Sequence, residues 1–102
     1  MGADLSVEDG YIAAQYVGLR ILAQLKAACG GDLGRVVKCI QIRGFVTCTN
    51  DFTKQANVIN GASELLRDVF GDNGMGARAA LGANSLPLNA AVEIESIFEI
   101  KI

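Results

Sequence analysis

The run AAVEIESIFEI, residues 90–100, alternates apolar and charged side chains with a period of two. Such a pattern is incompatible with an amphipathic helix and predicts a β-strand with one face buried and the other open. Val92, Ile94, Phe98 and Ile100 are expected to point onto a covering layer, with Glu93, Glu95, Glu99 and Lys101 on the opposite side. Upstream, ARAALGA (77–83) reads as a short buried strand and NSLPLN as a tight connection holding the only proline. The two strands together predict a β-β unit in which Arg78 and Glu93 are the embedded charges to ask about chemistry.

A strand with one apolar face needs helices or a second sheet to cover it, and the rest of the chain supplies helices. Ser6-Val7-Glu8-Asp9 is a capping-box start, and Gly30-Gly31 is the matching stop. Between them Ile12, Tyr16, Leu19 and Ala23 form an apolar stripe at helical spacing, while Gln15, Arg20, Gln24 and Lys26 do not share one face. This helix is expected to be contacted on more than one side. The stretch from about Arg35 to Thr47, rich in β-branched residues, reads as a strand. Its two faces are Val36, Lys38, Ile40, Ile42 and Val37, Cys39, Gln41, Arg43, neither wholly polar, and Gly44 marks a bulge. A second helix, Gln55 to Phe70, buries Val58, Ala62, Leu65, Leu66, Val69 and Phe70. A glycine-rich connection, Gly71 to Gly76, then leads into Arg78. The order α-β-α-β-β predicts an α/β (α+β) two-layer sandwich, a single domain with a sheet face left partly apolar. Such a face is an oligomerisation signal on so small a chain.

Composition removes several function classes. With 102 residues, 51% apolar and 20% charged, the chain has the size and make-up of one globular domain. A net charge of −2 without a Lys/Arg run disfavours nucleic acid as a partner. The absence of a signal-like N-terminus and of any apolar run long enough for a bilayer disfavours a membrane and makes the cytoplasm the expected compartment. Cys29, Cys39 and Cys48 lack metal-ligand spacing and read as reduced, buried thiols. There is no histidine, so His-based nucleophile pairs and imidazole metal sites are excluded, and no metal or cofactor is expected. Any chemistry rests on Arg, Glu, Asp, Lys, Tyr, Cys or amides.

The run NGASELL with VFG, then ARAALG, LPLN and AAVEIESIFEI, resembles the RidA/YjgF family, also labelled endoribonuclease L-PSP, whose C-terminal hallmark is an arginine, LP, and a V-E-I/V-E strand. The likeness extends back through GFV and DF to Asp4-Leu5-Ser6 and so covers nearly the whole chain. It implies a chorismate-mutase-like fold with a mixed sheet and two helices on one face. It also implies a homotrimer with ligand pockets between subunits. Characterised members hydrolyse reactive enamines and imines to keto acids and ammonia, whereas others bind small carboxylates or are described as ribonucleases.

Carried onto this chain, the resemblance makes Arg78 the residue that grips a substrate carboxylate, Glu93 the one that positions water, and Asn60 a pocket-lining amide. The chemistry suits each role. A guanidinium offers a carboxylate two donors in matching geometry, and a carboxylate can orient water against an imine carbon. Backbone groups near the glycine-rich connection would assist. Two positions depart from the family pattern. Ala80 stands where many members have a pocket cysteine, and the family's N-terminal strands have no counterpart before the first helix, which leaves a pocket wall missing and a strand edge inviting another chain. Two functional readings therefore stand side by side, an enamine/imine deaminase and a non-catalytic carboxylate-binding or assembly module on the same scaffold.

Overall fold

A computed structural model of the chain describes residues 6–101; Asp4 and Leu5 lie outside the described residues. The capping box forms as the sequence predicts. Ser6 Oγ accepts from the Asp9 amide at 3.1 Å, the Asp9 carboxylate accepts from the Ser6 amide, and helix α1 runs Val7–Ala28. It stops at Gly30, where φ is +66° and Gly31 N–H donates back to the Lys26 carbonyl at 2.8 Å. Strand β1 (Val36–Thr47) follows, then helix α2 (Gln55–Phe70), strand β2 (Ala77–Ala83) and strand β3 (Val92–Ile100).

The three strands form one mixed sheet in the order β2-β1-β3. β1 is central, parallel to β2 and antiparallel to β3. The expected β-β unit is therefore corrected: β2 and β3 flank β1 and do not pair with each other. The segment between them crosses the end of β1, where Thr47 N–H donates to the Ala91 carbonyl at 3.0 Å and Cys48 N–H to that of Ala83 at 3.1 Å. It includes the short turn Pro87–Asn89, in which Leu88 (φ 57°) and Asn89 (φ 56°) adopt left-handed conformations. β2 is also not buried as expected. It is an edge strand whose residues are exposed or half-buried.

Both helices lie on one face of the sheet, α1 against β3 and α2 over β1 and β2. The core between the layers has two parts, one around Val46, Val58, Ile59, Ala62 and Val92, the other around Ile21, Cys39, Ile42 and Leu66. Val92, Ile94 and Phe98 face it from β3, as the alternation predicts. Of the cysteines, Cys29 and Cys39 are buried and Cys48 is half-buried; all three are free thiols.

Three local expectations change. The α1 stripe of Ile12, Tyr16 and Leu19 is the exposed side of the helix, at 49%, 65% and 50% exposure. The buried side is Gly10, Ala14, Gly18 and Ile21, because small residues let α1 come close enough to α2 to share the core. In β1 the irregular register falls at Val36/Lys38 and Cys39/Gln41, not at Gly44, and it brings Cys39 and Ile42 onto the same buried face. Gly44 instead makes room for Ile59 of α2, whose side chain would meet any Cβ there. In α2, Ile59 and Gly61 join the buried face, whereas Val69 is 44% exposed.

The helix-free face carries rows from all three strands, with Phe45 between Leu81 and Glu93, and Arg43 between Ala79 and Glu95. An Arg43–Glu95 ion pair at 2.6 Å sits on this face, half exposed. Leu81 and Ile97 stand 48% and 54% exposed. Among the described residues no helix is long and apolar enough to cross a membrane.

Candidate functional site

Arg78 is the second residue of edge strand β2 and pairs in register with Ile42 of β1. Ile42 is buried under α2. Alternation therefore sends Arg78 to the helix side, at the margin where the helix no longer covers the sheet. There its Nη1 donates to Asn60 Oδ1 and, at 3.4 Å, lies against Ser63 Oγ. Asn60 lies inside α2 and not at its start, and Ser63 is one turn further along the same face. The guanidinium is thus held from one side by two neutral acceptors. Neither cancels its charge, so it remains a cation fixed in direction.

Arg78 borders a cavity of about 340 Å³ between α2 and the β2 edge. Asn60, Ser63, Glu64 and Arg67 form the α2 wall at positions i, i+3, i+4 and i+7, and Ile42 forms the floor. The third side is Gly74-Met75-Gly76. This connection is an ordered 3₁₀ turn, Gly71–Gly74, closed by the Met75 N–H on the Asp72 carbonyl. Gly74 lies against the Leu66 carbonyl, and Gly76 against the Ile40 carbonyl, closer than a side chain allows.

The structure brings Arg78 and Asn60 together and places Glu93 elsewhere. Glu93 pairs with Phe45, on the far edge strand and on the helix-free face. Two strand spacings of about 4.8 Å and roughly three residues of about 3.3 Å along the strands separate it from Arg78. Ala80 packs against the core beneath the helices and does not line the cavity.

The carboxylate that does border the Arg78 cavity is Glu64. Its Oε2 accepts the Tyr11 phenol hydrogen at 2.6 Å, a bond between α1 and α2. That bond, reinforced by burial and by the charge of Glu64, pushes the Tyr11 phenol above its ordinary pKa, so Tyr11 remains a donor. A helical Glu between Ser63 and Leu65 carries no signal of its own. The trace available in the sequence was its spacing of four from Asn60 and three from Arg67.

Known proteins were compared on sequence and on structure. Residues 1–100 match the family described as "YjgF/chorismate_mutase-like, putative endoribonuclease". Protein TCP17 of Trypanosoma cruzi is 42% identical over 98% of this chain and 62% of its own length. The crystal structure of Atu1372 from Agrobacterium tumefaciens, a protein of unknown function, superposes with a TM-score of 0.98 at 46% identity, covering 100% of this chain and 65% of that one. A "putative endoribonuclease" from Shewanella oneidensis superposes with a TM-score of 0.91 at 31% identity, covering 97% and 65%. The chain thus spans slightly less than two thirds of the length of these relatives. With the arginine, the LP turn and the VEIESIFEI strand set on this fold, the chain belongs to the YjgF/chorismate mutase-like family.

Proposed function

We propose that the chain binds a small carboxylate at the Arg78 cavity and hydrolyses reactive 2-imino acids there to 2-keto acids and ammonia. The observation that carries this reading is the Arg78 guanidinium, held by Asn60 and Ser63 at the mouth of a cavity sized for a small metabolite. A guanidinium so held can offer its free edge to a carboxylate as a charge-assisted pair. An imine hydrolyses with little activation, so orientation and charge placement suffice.

Glu93 takes part in this reading only across an interface. We assign the protein a homotrimeric assembly, in the cytoplasm, built on the helix-free face, where Phe45, Leu81 and Ile97 are apolar and Glu93 is exposed. Glu93 would then place water in a pocket shared with a neighbouring protomer. The test is keto-acid release from an enzymatically generated 2-iminobutanoate. Arg78→Ala should lower kcat/KM about 100-fold, roughly 3 kcal/mol of transition-state binding. Equal rates for the two proteins would overturn the proposal.

The distance of Glu93 from Arg78 within one chain favours a second reading, a carboxylate-binding module without turnover. Saturable binding of 2-ketobutyrate with no keto-acid release from the imine would select it. A ribonuclease role rests on the descriptions of the family and of one similar structure alone, since a net charge of −2 and the absence of histidine supply neither a basic face nor a histidine pair.

A further inference from the structure

We infer that Glu64 is the specificity residue of the Arg78 cavity, taking the cationic nitrogen of a ligand whose carboxylate Arg78 holds. The inference rests on the carboxylate-binding reading above and goes further by giving Glu64 the recognition of the ligand's α-nitrogen, whether in a protonated 2-imino acid or in the corresponding α-amino acid.

Three observations support it. Glu64 and Arg78 line the same cavity yet form no ion pair with each other among the described residues. Each is instead held in place by a neutral partner, Glu64 by the Tyr11 hydroxyl at 2.6 Å and Arg78 by Asn60 and Ser63. The two charges are thus kept apart and unneutralised, with Glu64 one helical turn from Asn60, a Cβ spacing of about 5–6 Å. A ligand that bears a carboxylate and a nitrogen on one carbon would present both charges to this one cavity. Finally, the Tyr11 bond engages Oε2 and leaves Oε1 without a protein partner among the described residues. Arg67, a turn beyond Glu64, borders the cavity as well and forms no ion pair with it among the described residues.

The chemistry favours this ligand over a plain keto acid. A fixed carboxylate beside the nitrogen stabilises the protonated imine, whose carbon is the better electrophile for water. The same carboxylate repels the dipole of a keto oxygen, so the product is held less well than the substrate.

Calorimetric titration with 2-aminobutyrate and 2-ketobutyrate separates the contributions, because the two share a skeleton and differ only in nitrogen against oxygen. Wild type should bind the amino acid several-fold more tightly. Glu64→Gln keeps an acceptor for Tyr11 but loses the charge. It should weaken the amino acid about tenfold and leave the keto acid unchanged or tighter. Tyr11→Phe keeps the charge and should preserve the preference, which controls for loss of the helix–helix bond. Arg78→Ala should weaken both ligands. An unchanged preference in Glu64→Gln, a wild-type preference for the keto acid, or no wild-type binding of either ligand would each overturn the inference. Turnover of 2-iminobutanoate by wild type decides the broader reading separately, since activity with an unaltered Glu64→Gln preference removes only the role given to Glu64.

Discussion

Tyr11 and Glu64 join two helices through one hydrogen bond, and that bond can be tested spectroscopically. The chain has no tryptophan and two tyrosines, so in a Tyr16→Phe background the phenolate absorbance reports Tyr11 alone. Ionising Tyr11 in the folded protein means giving up its bond to Glu64 and creating a second negative charge beside that carboxylate. Titration should therefore fall above the ordinary tyrosine value of about 10. Adding Glu64→Gln should lower it again. An identical midpoint in the two proteins would show that the bond does not form in solution. Residues of this kind were the least legible in the sequence. Arg78 and Asn60 could be nominated because a family pattern marks them, but Glu64 looks like any solvated helical carboxylate until α1 and the β2 edge close around it.

At the scale of elements, the contact between the helices depends on what is missing from it. A Cβ on Gly61 would run into the Tyr11 carbonyl and press on the Ala14 side chain. The obstacle is backbone inside a helix, which cannot swing aside. Gly61→Ala should therefore lower stability by about 1–3 kcal/mol despite the better helix propensity of alanine. Urea unfolding measures it; a variant as stable as wild type would show that the helices are less tightly packed. The same contact explains what the sequence did and did not disclose. Caps, stops and period-two alternation marked the start of α1, the run of β1, the extent of α2 and the inward face of β3. Hydrophobic periodicity weighs large side chains and so points to the outward face of α1. Here Gly10, Ala14 and Gly18 form the buried interface while Ile12, Tyr16 and Leu19 face outward. The site of irregular pairing in β1 is hidden for a related reason. Gly44 looked like a bulge residue, whereas its lack of a side chain serves Ile59 across the layer.

For the whole molecule, the sheet has one covered face and one open face. Phe45, Leu81 and Ile97 on the open side surround the Arg43–Glu95 pair, and the proposed trimer would cover them. Replacing Leu81 with Glu, a half-exposed position on the edge strand, should leave the helix-facing core intact but place an unpaired charge in that contact. Light scattering should then report trimers for wild type and monomers for Leu81→Glu, with matching circular dichroism. A wild-type monomer would remove the interface role given to Glu93.

The central position of β1 has a consequence for how the chain reaches its fold. β1 is made before both of its partners, with Ile42 waiting for Arg78 on one side and Ser96 on the other. One hydrogen-bonding edge therefore stays open until β2 is made, and the other until β3 is made. Pairings over such sequence separations are slow to form, and a nascent chain halted before β3 would expose an apolar strand able to pair with another copy of itself.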